Sequence, residues 1–293
     1  MSEEILPQLE KRTNGRLQFQ LFHSATLGKA TQMLDYVNRG MAFASVPCNG
    51  YFTKTFPVFE VDTLGCYTNG VQGIDAAYRG GLSQLINEYL QGKGLKNLVY
   101  VGASVFCGHN PGSPKKPINT PSDFKGLKFR GIGNERFFIE QGGGAPVFLP
   151  ASQLYEALQR GMIDGVFAQE SNWIDWKFHE QVKHIRFIDL FFSPMAITYN
   201  EPAMQELSKE DQKVVKDMFE ECLETWRDGY IEWDKGAREW LMNKWSGNAA
   251  YISKEEKKEW LKIAKIKQDE FVEKHGELAK RALEIIRKHN PVE

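Results

Sequence analysis

The chain has 293 residues, with 37 basic and 38 acidic side chains, a formal net charge of −1 and 42% hydrophobic residues. Because the basic and acidic side chains nearly cancel, the composition argues against a nucleic-acid groove or a surface that binds anionic membranes. No apolar run approaches the roughly 20 residues of a membrane-spanning helix, and the length is sufficient for one or two domains with an ordinary core.

The four cysteines are widely spaced and form no C-x-x-C pair, which argues against a zinc site. We therefore predict no metal and no cofactor. The spacing leaves open whether any two of them form a disulfide. These cysteines are Cys48, Cys66, Cys107 and Cys222.

Helical and strand patterns alternate in the first third of the chain, which favours an α/β sheet. An amphipathic helix ends at Gly15, a second helix ends at Gly40, and a third covers about 72–91. The run Ala42–Val46 is short and apolar, as in a strand buried in a parallel sheet. The predicted strands are Leu17–Phe22, Ala42–Val46 and Asn97–Val101.

The stretch from Thr120 to Gly165, called the organising stretch below, is the most informative part of the chain. Thr120 is suited to cap a one-turn helix that begins at Pro121 and stops at Gly126. An alternating strand follows and places Arg130 at its carboxyl end, just before a glycine turn and a helix that begins near Asn134. Ligands bind at such strand ends in open α/β sheets. The alternative for Arg130 is an ordinary surface ion pair.

Two later helices have clear starting signals. Ser208 with Asp211, and Ser253 with Glu256, resemble capping boxes. Apolar residues recur at three- and four-residue steps after Ser208, so we predict a helix that runs to about Trp245 and is about 55 Å long. The loop 106–116, rich in glycine and proline, and a pair of strands near 184–189 and 196–199 predict two crossings between lobes.

The organising stretch resembles the substrate-binding subunit of tripartite ATP-independent periplasmic (TRAP) transporters, the DctP-like family. That family shows Thr-Pro-x-Asp-Leu-Lys-Gly-Leu-Lys-x-Arg, then Gly-Ala-x-Pro, then Ala-Leu-Gln-x-Gly and x-x-Asp-Gly. The residues of this chain that match are Thr120, Pro121, Asp123, Lys125, Gly126, Leu127, Lys128, Arg130, Gly144, Ala145, Pro146, Ala157, Leu158, Gln159, Gly161, Asp164 and Gly165.

The resemblance implies a two-lobed periplasmic-binding-protein-like α/β fold of type II, with a hinge and a long helix that spans both lobes. Lobe I then comprises residues 1–104 and 194–232, and lobe II comprises 105–193 and 233–262. Residues 263–293 form carboxyl-terminal helices that pack on lobe I. The first strand of lobe I is expected to be missing at the amino terminus.

In the family the arginine at position 130 holds the substrate carboxylate, which a guanidinium engages through two parallel hydrogen bonds. His109 stands where many members carry a second arginine, so a monocarboxylate is favoured over a dicarboxylate. The alternative for His109 is a loop histidine whose hydrogen bonds are satisfied within the protein. The alternative for each aromatic residue is a place in the hydrophobic core. The predicted ligand-binding residues are Arg130, His109, Tyr51, Cys48, Asn49, Asn134, Ala168, Gln169, Trp173 and Phe192.

The predicted function is a periplasmic solute receptor that binds a small organic acid in the cleft, without catalysis, and delivers it to TRAP membrane subunits. We expect a monomer without nucleic-acid partners. One alternative is an enzyme in the same cleft, with Glu170 or His109 as general base, or a set formed by Glu170, Asp175 and His179. Those three residues are equally typical of a solvated helix face.

The amino terminus gives conflicting indications. Met1 opens directly into an amphipathic helix without the regions of a signal peptide, which by itself predicts a cytoplasmic carboxylate sensor. The resemblance instead predicts a strand and an export signal upstream, hence a misassigned start or a truncated gene. The sequence leaves the identity of the ligand open.

Overall fold

The structure is a computed structural model that describes residues 2–22, 26–67, 70–104 and 108–290. Its helices are α1 Ser2–Arg12, α2 Met33–Asn38, α3 Gly70–Ala77, α4 Ser83–Gly92, α5 Glu135–Gln141, α6 Leu154–Gln159, α7 Glu170–Asp175, α8 Glu201–Gln205, α9 Lys209–Asn243 and α10 Lys254–His289. Its strands are β1 Ala44–Ser45, β2 Leu98–Ser104, β3 Asn110–Ser113, β4 Lys128–Arg130, β5 Ala145–Val147, β6 Gly165–Ala168, β7 His184–Phe187, β8 Met195–Asn200 and β9 Asn248–Tyr251.

The strands form two sheets, one in each lobe. The sheet of lobe I has the order β1-β8-β2, and both of its pairings are antiparallel. The prediction of a parallel sheet around Ala42–Val46 is therefore wrong for this lobe. The pairing is antiparallel because β8, which returns from lobe II, lies between β1 and β2 and runs opposite to both.

The segment Leu17–Phe22 contains no strand, contrary to the prediction from its alternating pattern. An extended segment becomes a strand only through ladder hydrogen bonds to a neighbour. Among the described residues, none of the strand pairings involves this segment. The alternating pattern therefore indicated one apolar and one polar face, but it did not identify a strand for this segment to pair with.

The sheet of lobe II has the order β5-β4-β6-β3-β7-β9. Strand β4 pairs in parallel with β5 and β6, whereas β3 runs antiparallel to β6 and β7. Strand β3 lies inside the predicted loop 106–116, so that loop is shorter than expected. Proline and glycine are rare inside strands, so Pro111 and Gly112 predicted a loop, yet they pair with Phe167 and Val166 of β6.

The organising stretch folds as its sequence predicts. A 3₁₀ turn, Pro121–Phe124, carries the capping box between Thr120 and Asp123. The turn ends at Gly126, whose φ of +76° suits glycine. Strand β4 follows and ends at Arg130, and Asn134 precedes helix α5.

The two crossings between the lobes run side by side. The first crossing is 108–110 and the second is 188–193. Gly108 forms a bridge with Phe192, and the His109 N–H donates to the Phe191 carbonyl at 2.8 Å. The Asn110 side-chain oxygen accepts from the backbone N–H groups of Ile188 (2.7 Å) and Asp189 (3.2 Å). One amide thus joins the first crossing to the second.

Two long helices brace the lobes. Helix α9 has 35 residues and therefore extends over about 52 Å, and Ser208 caps it. It contacts β2 in lobe I and both α7 and β9 in lobe II. Helix α10 bends at Gly276, so that Trp260 packs in lobe II while Leu283 packs in lobe I. Across the described ranges, no helix combines the length and apolar character that a membrane crossing requires.

Candidate functional site

Arg130 lies between the lobes with a side chain that is held in one orientation. Only 3% of the residue is exposed. Its Nε donates to the Leu149 carbonyl at 3.1 Å and its Nη1 donates to the Phe167 carbonyl at 3.3 Å. Two of the five guanidinium donors are thus bound to backbone carbonyls, and these bonds fix the orientation of the planar group.

Tyr51 faces Arg130 from lobe I. It belongs to a 3₁₀ turn, Asn49–Tyr51, and its hydroxyl accepts from the Ala151 N–H at 3.3 Å. Burial raises the pKa of Tyr51, and the Arg130 guanidinium opposes that rise through its charge and a hydrogen bond. The Tyr51 ring meets Phe148 edge-on at 6.0 Å between centroids, so an aromatic wall adjoins the cation.

Cys48 continues this wall toward the second crossing. Its thiol lies 3.3 Å from the Ser193 hydroxyl, and the Gln169 amide nitrogen donates to the Ser193 carbonyl at 3.3 Å. Burial raises the pKa of Cys48, which keeps it a neutral thiol near pH 7. Ala168 precedes Gln169 at the end of β6 and is 2% exposed.

The lobes touch at two further places around the cleft. A methyl group added to Gly50 would lie 2.6 Å from Cδ1 of Ile132, so the backbone of lobe I rests on that side chain. The Asn134 N–H donates to Thr63 Oγ1 at 2.9 Å and its side chain donates to the Glu60 carbonyl at 3.0 Å. Asn134 therefore links α5 to lobe I.

His109 is buried and pairs with an acid. Its Nδ1 is hydrogen-bonded to Glu135 Oε1, and Glu135 Oε2 accepts from the Ile132 N–H at 2.7 Å. The histidine is 4% exposed and the glutamate 0%. A carboxylate thus adjoins the position where the resemblance puts a second cation.

Three predicted ligand residues lie in the packed interior. The Asn49 amide nitrogen donates to Asp62, and the amide is also hydrogen-bonded to Tyr78 and Tyr100. Trp173 is 0% exposed in the core of lobe II, and Phe192 is 1% exposed in the core of lobe I. Among the described residues, none of the hydrogen bonds or ring contacts of these three side chains involves Arg130.

The alternative enzyme set does not converge on one point. Glu170 is fully buried and forms an ion pair with Arg238. His179 Nδ1 instead contacts the Trp173 carbonyl at 2.7 Å. Within the part of the chain that the structure describes, no group of three or more His, Cys, Asp and Glu side chains is placed to hold a metal ion.

Several residues around the site escaped the sequence analysis. Ser193 and Glu135 contact predicted site residues, and Asp62 lies directly beneath the Asn49–Tyr51 turn. Each is remote in sequence from its partner, so no local pattern marks it. A glutamate at the start of α5 is also what any helix favours at its amino end.

Comparison with known proteins gives a family match over most of the chain. The sequence profile of the family described as "Bacterial extracellular solute-binding protein, family 7" (DctP) matches residues 3–275. The chain is 27% identical over 220 residues to the 2,3-diketo-L-gulonate-binding periplasmic protein of Escherichia coli, covering 73% of this chain and 65% of that protein. The chain thus spans less than two thirds of that relative.

A second relative is the C4-dicarboxylate-binding periplasmic protein of Rhodobacter capsulatus, 24% identical over 75% of this chain and 70% of its own length. Among solved structures, an extracytoplasmic solute receptor of Bordetella pertussis that binds pyroglutamic acid superposes with a TM-score of 0.88. It is 17% identical and covers 98% of this chain and 93% of its own. The superposition confirms the predicted two-lobed α/β fold.

Proposed function

The chain belongs to the family 7 (DctP) bacterial extracellular solute-binding proteins, and on that premise we propose that it captures a small organic monocarboxylate between its lobes. The observation that carries the proposal is the buried Arg130 guanidinium, oriented by the Leu149 and Phe167 carbonyls and faced by Tyr51. A guanidinium in this setting binds a carboxylate through two parallel hydrogen bonds, which fix its position and orientation.

The preference for one carboxylate rests on His109. A dicarboxylate would require a second cation, and the side chain at that position is hydrogen-bonded to the buried Glu135 carboxylate. The acid already occupies Nδ1 of that histidine, so a second ligand carboxylate would find no bidentate fork of donors there. The named relatives include both a 2,3-diketo-L-gulonate binder and a C4-dicarboxylate binder, so the family alone does not decide between the two classes.

The cleft walls favour a ligand with a partly apolar body. Phe148 and Tyr51 form an edge-on aromatic pair beside Arg130, and Cys48 supplies a neutral thiol. Apolar walls with a few convergent polar groups are typical of small-molecule sites. Gln169 and Ser193 add hydrogen-bonding groups at the far side, which suits an oxo or hydroxy group of the ligand.

The protein acts as a receptor outside the cytoplasm that returns its ligand unchanged and delivers it to TRAP-type membrane subunits. Support for this role comes from the family match and from the two paired crossings, which permit the lobes to close over a ligand. We propose that it does so as a monomer.

The first experiment is a thermal-shift panel of mono- and dicarboxylates, followed by calorimetry on the best ligand. A ligand at a hundredfold excess over its Kd adds about 2.7 kcal/mol to the free energy of unfolding. We predict that Arg130→Lys keeps the fold but weakens binding by about tenfold or more, because a point charge replaces a planar fork.

The matched control is Arg160→Lys, since Arg160 is an exposed arginine at the end of α6 in the same lobe. It should leave both stability and affinity unchanged. An Arg130→Lys variant that binds the best ligand as tightly as the native protein would remove Arg130 from the site. A dicarboxylate that outcompetes every monocarboxylate would overturn the preference assigned to His109.

A further inference from the structure

Asp62 is a buried carboxyl group without a basic neighbour. It is 1% exposed, in a 3₁₀ segment, Pro57–Thr63, of lobe I. Other buried carboxyls have charged or ionisable partners: Glu135 has His109 and Glu170 has Arg238. Among the described residues, no lysine, arginine or histidine lies within ion-pair distance of Asp62. A buried charge without a counterion is costly, so its presence calls for an explanation.

Neutral donors surround this carboxyl group. The Tyr78 hydroxyl donates to Asp62 Oδ1 at 2.6 Å and the Asn49 amide nitrogen donates to Oδ2 at 3.1 Å. The Asn49 amide is also hydrogen-bonded to the Tyr100 hydroxyl at 3.0 Å. Burial raises the pKa of Asp62 to about 7, and the hydrogen bonds from Tyr78 and Asn49 oppose that rise.

The network is attached to the cleft at two points. Asn49 begins the turn that carries Tyr51 to Arg130, and its backbone N–H donates to the Pro194 carbonyl at 3.2 Å. The Asp62 carbonyl accepts from the Phe192 N–H at 3.1 Å, one residue before Ser193. The same aspartate thus supports both the Tyr51 turn and the segment that holds Cys48.

The ionised and neutral forms of Asp62 support this arrangement differently. A carboxylate is an acceptor only, and it satisfies the donors of Asn49 and Tyr78 together. Bonds to the charged carboxylate are also stronger than bonds to a neutral acid. On protonation the Tyr78 hydroxyl accepts the acid proton instead of donating, and the Asn49 amide keeps only a weaker bond to a neutral oxygen. The Asn49–Tyr51 turn is then held less firmly.

Resting on the function proposed above, we propose that Asp62 is a positioning residue for the cleft, whose ionised form holds Tyr51 and Cys48 against Arg130 for carboxylate binding. Protonation loosens the turn and weakens binding. Affinity therefore rises with pH as Asp62 ionises. The groups that face Asp62 are Asn49 from the turn, Tyr78 from the segment after α3, Tyr100 from β2, and Cys48, Cys66 and Tyr67.

The sign of the pH effect separates Asp62 from a group that binds the ligand through a proton of its own. A side chain that attracted the ligand carboxylate only when protonated would make affinity fall as pH rises. Asp62 predicts the opposite slope. The ligand does not confuse the result, because an α-carboxyl group titrates at about 3.5.

The experiment measures the Kd of the tightest monocarboxylate from the panel, beginning with pyroglutamate, between pH 5.5 and 8.5. In a His109→Gln background we expect affinity to rise about threefold to tenfold with pH, the value of one positioning hydrogen bond. When Asp62→Asn is added to this background, the affinity should stay at every pH near the value that the background shows at low pH. The control Asp217→Asn, at an exposed carboxyl on α9, should keep the slope. A slope that survives Asp62→Asn overturns the proposal.

A ligand-free measurement keeps this test separate from the proposed function. In the native protein labelled with both ¹³C-tyrosine and ¹³C-aspartate, the Tyr51 ring signals should shift with the midpoint of the Asp62 carboxyl signal. Tyr51 signals that do not respond to the Asp62 titration overturn the proposal, whatever the ligand. Failure of every carboxylate to bind would overturn the receptor function alone. Should Asp62→Asn fail to fold, Tyr100→Phe, which keeps the charge, should lower affinity at every pH while preserving the slope.

Discussion

Asp62 and Glu170 are buried carboxyl groups that lie on opposite sides of the paired crossings. Asp62 touches the second crossing from lobe I, through its carbonyl and the Phe192 N–H. Glu170 touches the first crossing from lobe II, where its Oε1 accepts from the Asn110 amide nitrogen at 2.8 Å. Both are at most 1% exposed, yet their surroundings differ in charge.

Glu170 belongs to an ionic cluster. Arg238 from α9 pairs with it and also donates to Asp189 at 2.9 and 3.0 Å. The guanidinium carbon lies 4.5 Å from the centre of the Phe187 ring. Burial raises the pKa of Glu170, and the nearby Asp234 charge adds to that rise while Arg238 opposes it.

The two buried carboxyl groups differ in what compensates their charge. In lobe II the compensating group is a permanent cation, because arginine does not titrate in proteins. In lobe I only the dipoles of Asn49 and Tyr78 compensate Asp62. Removing the compensating group should therefore cost more in lobe II than in lobe I.

The largest expected effect comes from removing the fixed cation. Arg238→Met leaves Glu170 and Asp189 without a compensating charge, so we expect a loss of about 3–5 kcal/mol in the free energy of unfolding. Urea unfolding at pH 7 measures this loss. Lys235→Met, at an exposed position on the same helix, is the control and should change stability by about 0.5 kcal/mol or less. Equal losses in the two variants would contradict the comparison.

A smaller effect concerns the pH dependence of stability in lobe I. Asp62 titrates at about 7 when folded, against 3.8 for an exposed aspartate. Between those values the folded state binds the proton more tightly, so this stabilisation is complete below about pH 4 and is lost as pH rises through 7. The change is on the order of 2–4 kcal/mol.

The measurement is the difference in unfolding free energy between the native protein and Asp62→Asn, taken from pH 4 to 8. Taking the difference cancels the titration of Glu170, which both proteins share. We expect the native protein to lose stability relative to the variant as pH rises. A difference that stays constant over this range would mean that Asp62 remains charged when folded.

The smallest effect tests a single donor. Tyr78→Phe removes the hydroxyl that lies 2.6 Å from Asp62 Oδ1, and we expect a loss of about 1–3 kcal/mol. The loss should be larger at pH 8 than at pH 5, because the ionised carboxylate depends more on that donor. Tyr89→Phe on the neighbouring helix α4 is the matched control. A loss that is the same at both pH values would indicate that Tyr78 contributes only through packing.

Local chemistry made the backbone around Arg130 predictable from sequence. The Thr120–Asp123 capping box, the stop at Gly126 and the strand ending at Arg130 all depend on residues close together in the chain. The long helix after Ser208 and the capping box at Ser253 were equally local. Each of these predictions is confirmed.

Long-range pairing was not predictable in the same way. Nothing within β1 shows that its neighbour β8 begins about 150 residues later, so its parallel direction was predicted wrongly. The site shows the same limit. From the sequence, Asn49 was predicted to bind the ligand, but in the structure its side chain is hydrogen-bonded to Asp62, Tyr78 and Tyr100. Trp173 was also predicted to bind the ligand, but its ring packs against Gly112.

Asn110 has a mechanical consequence for the whole molecule. Its side-chain oxygen joins the backbone of both crossings, and its nitrogen reaches Glu170. Strands tied at a common point cannot slide past each other without breaking those bonds. The two crossings therefore leave lobe II in a fixed register, and a displacement of one is transmitted to the other.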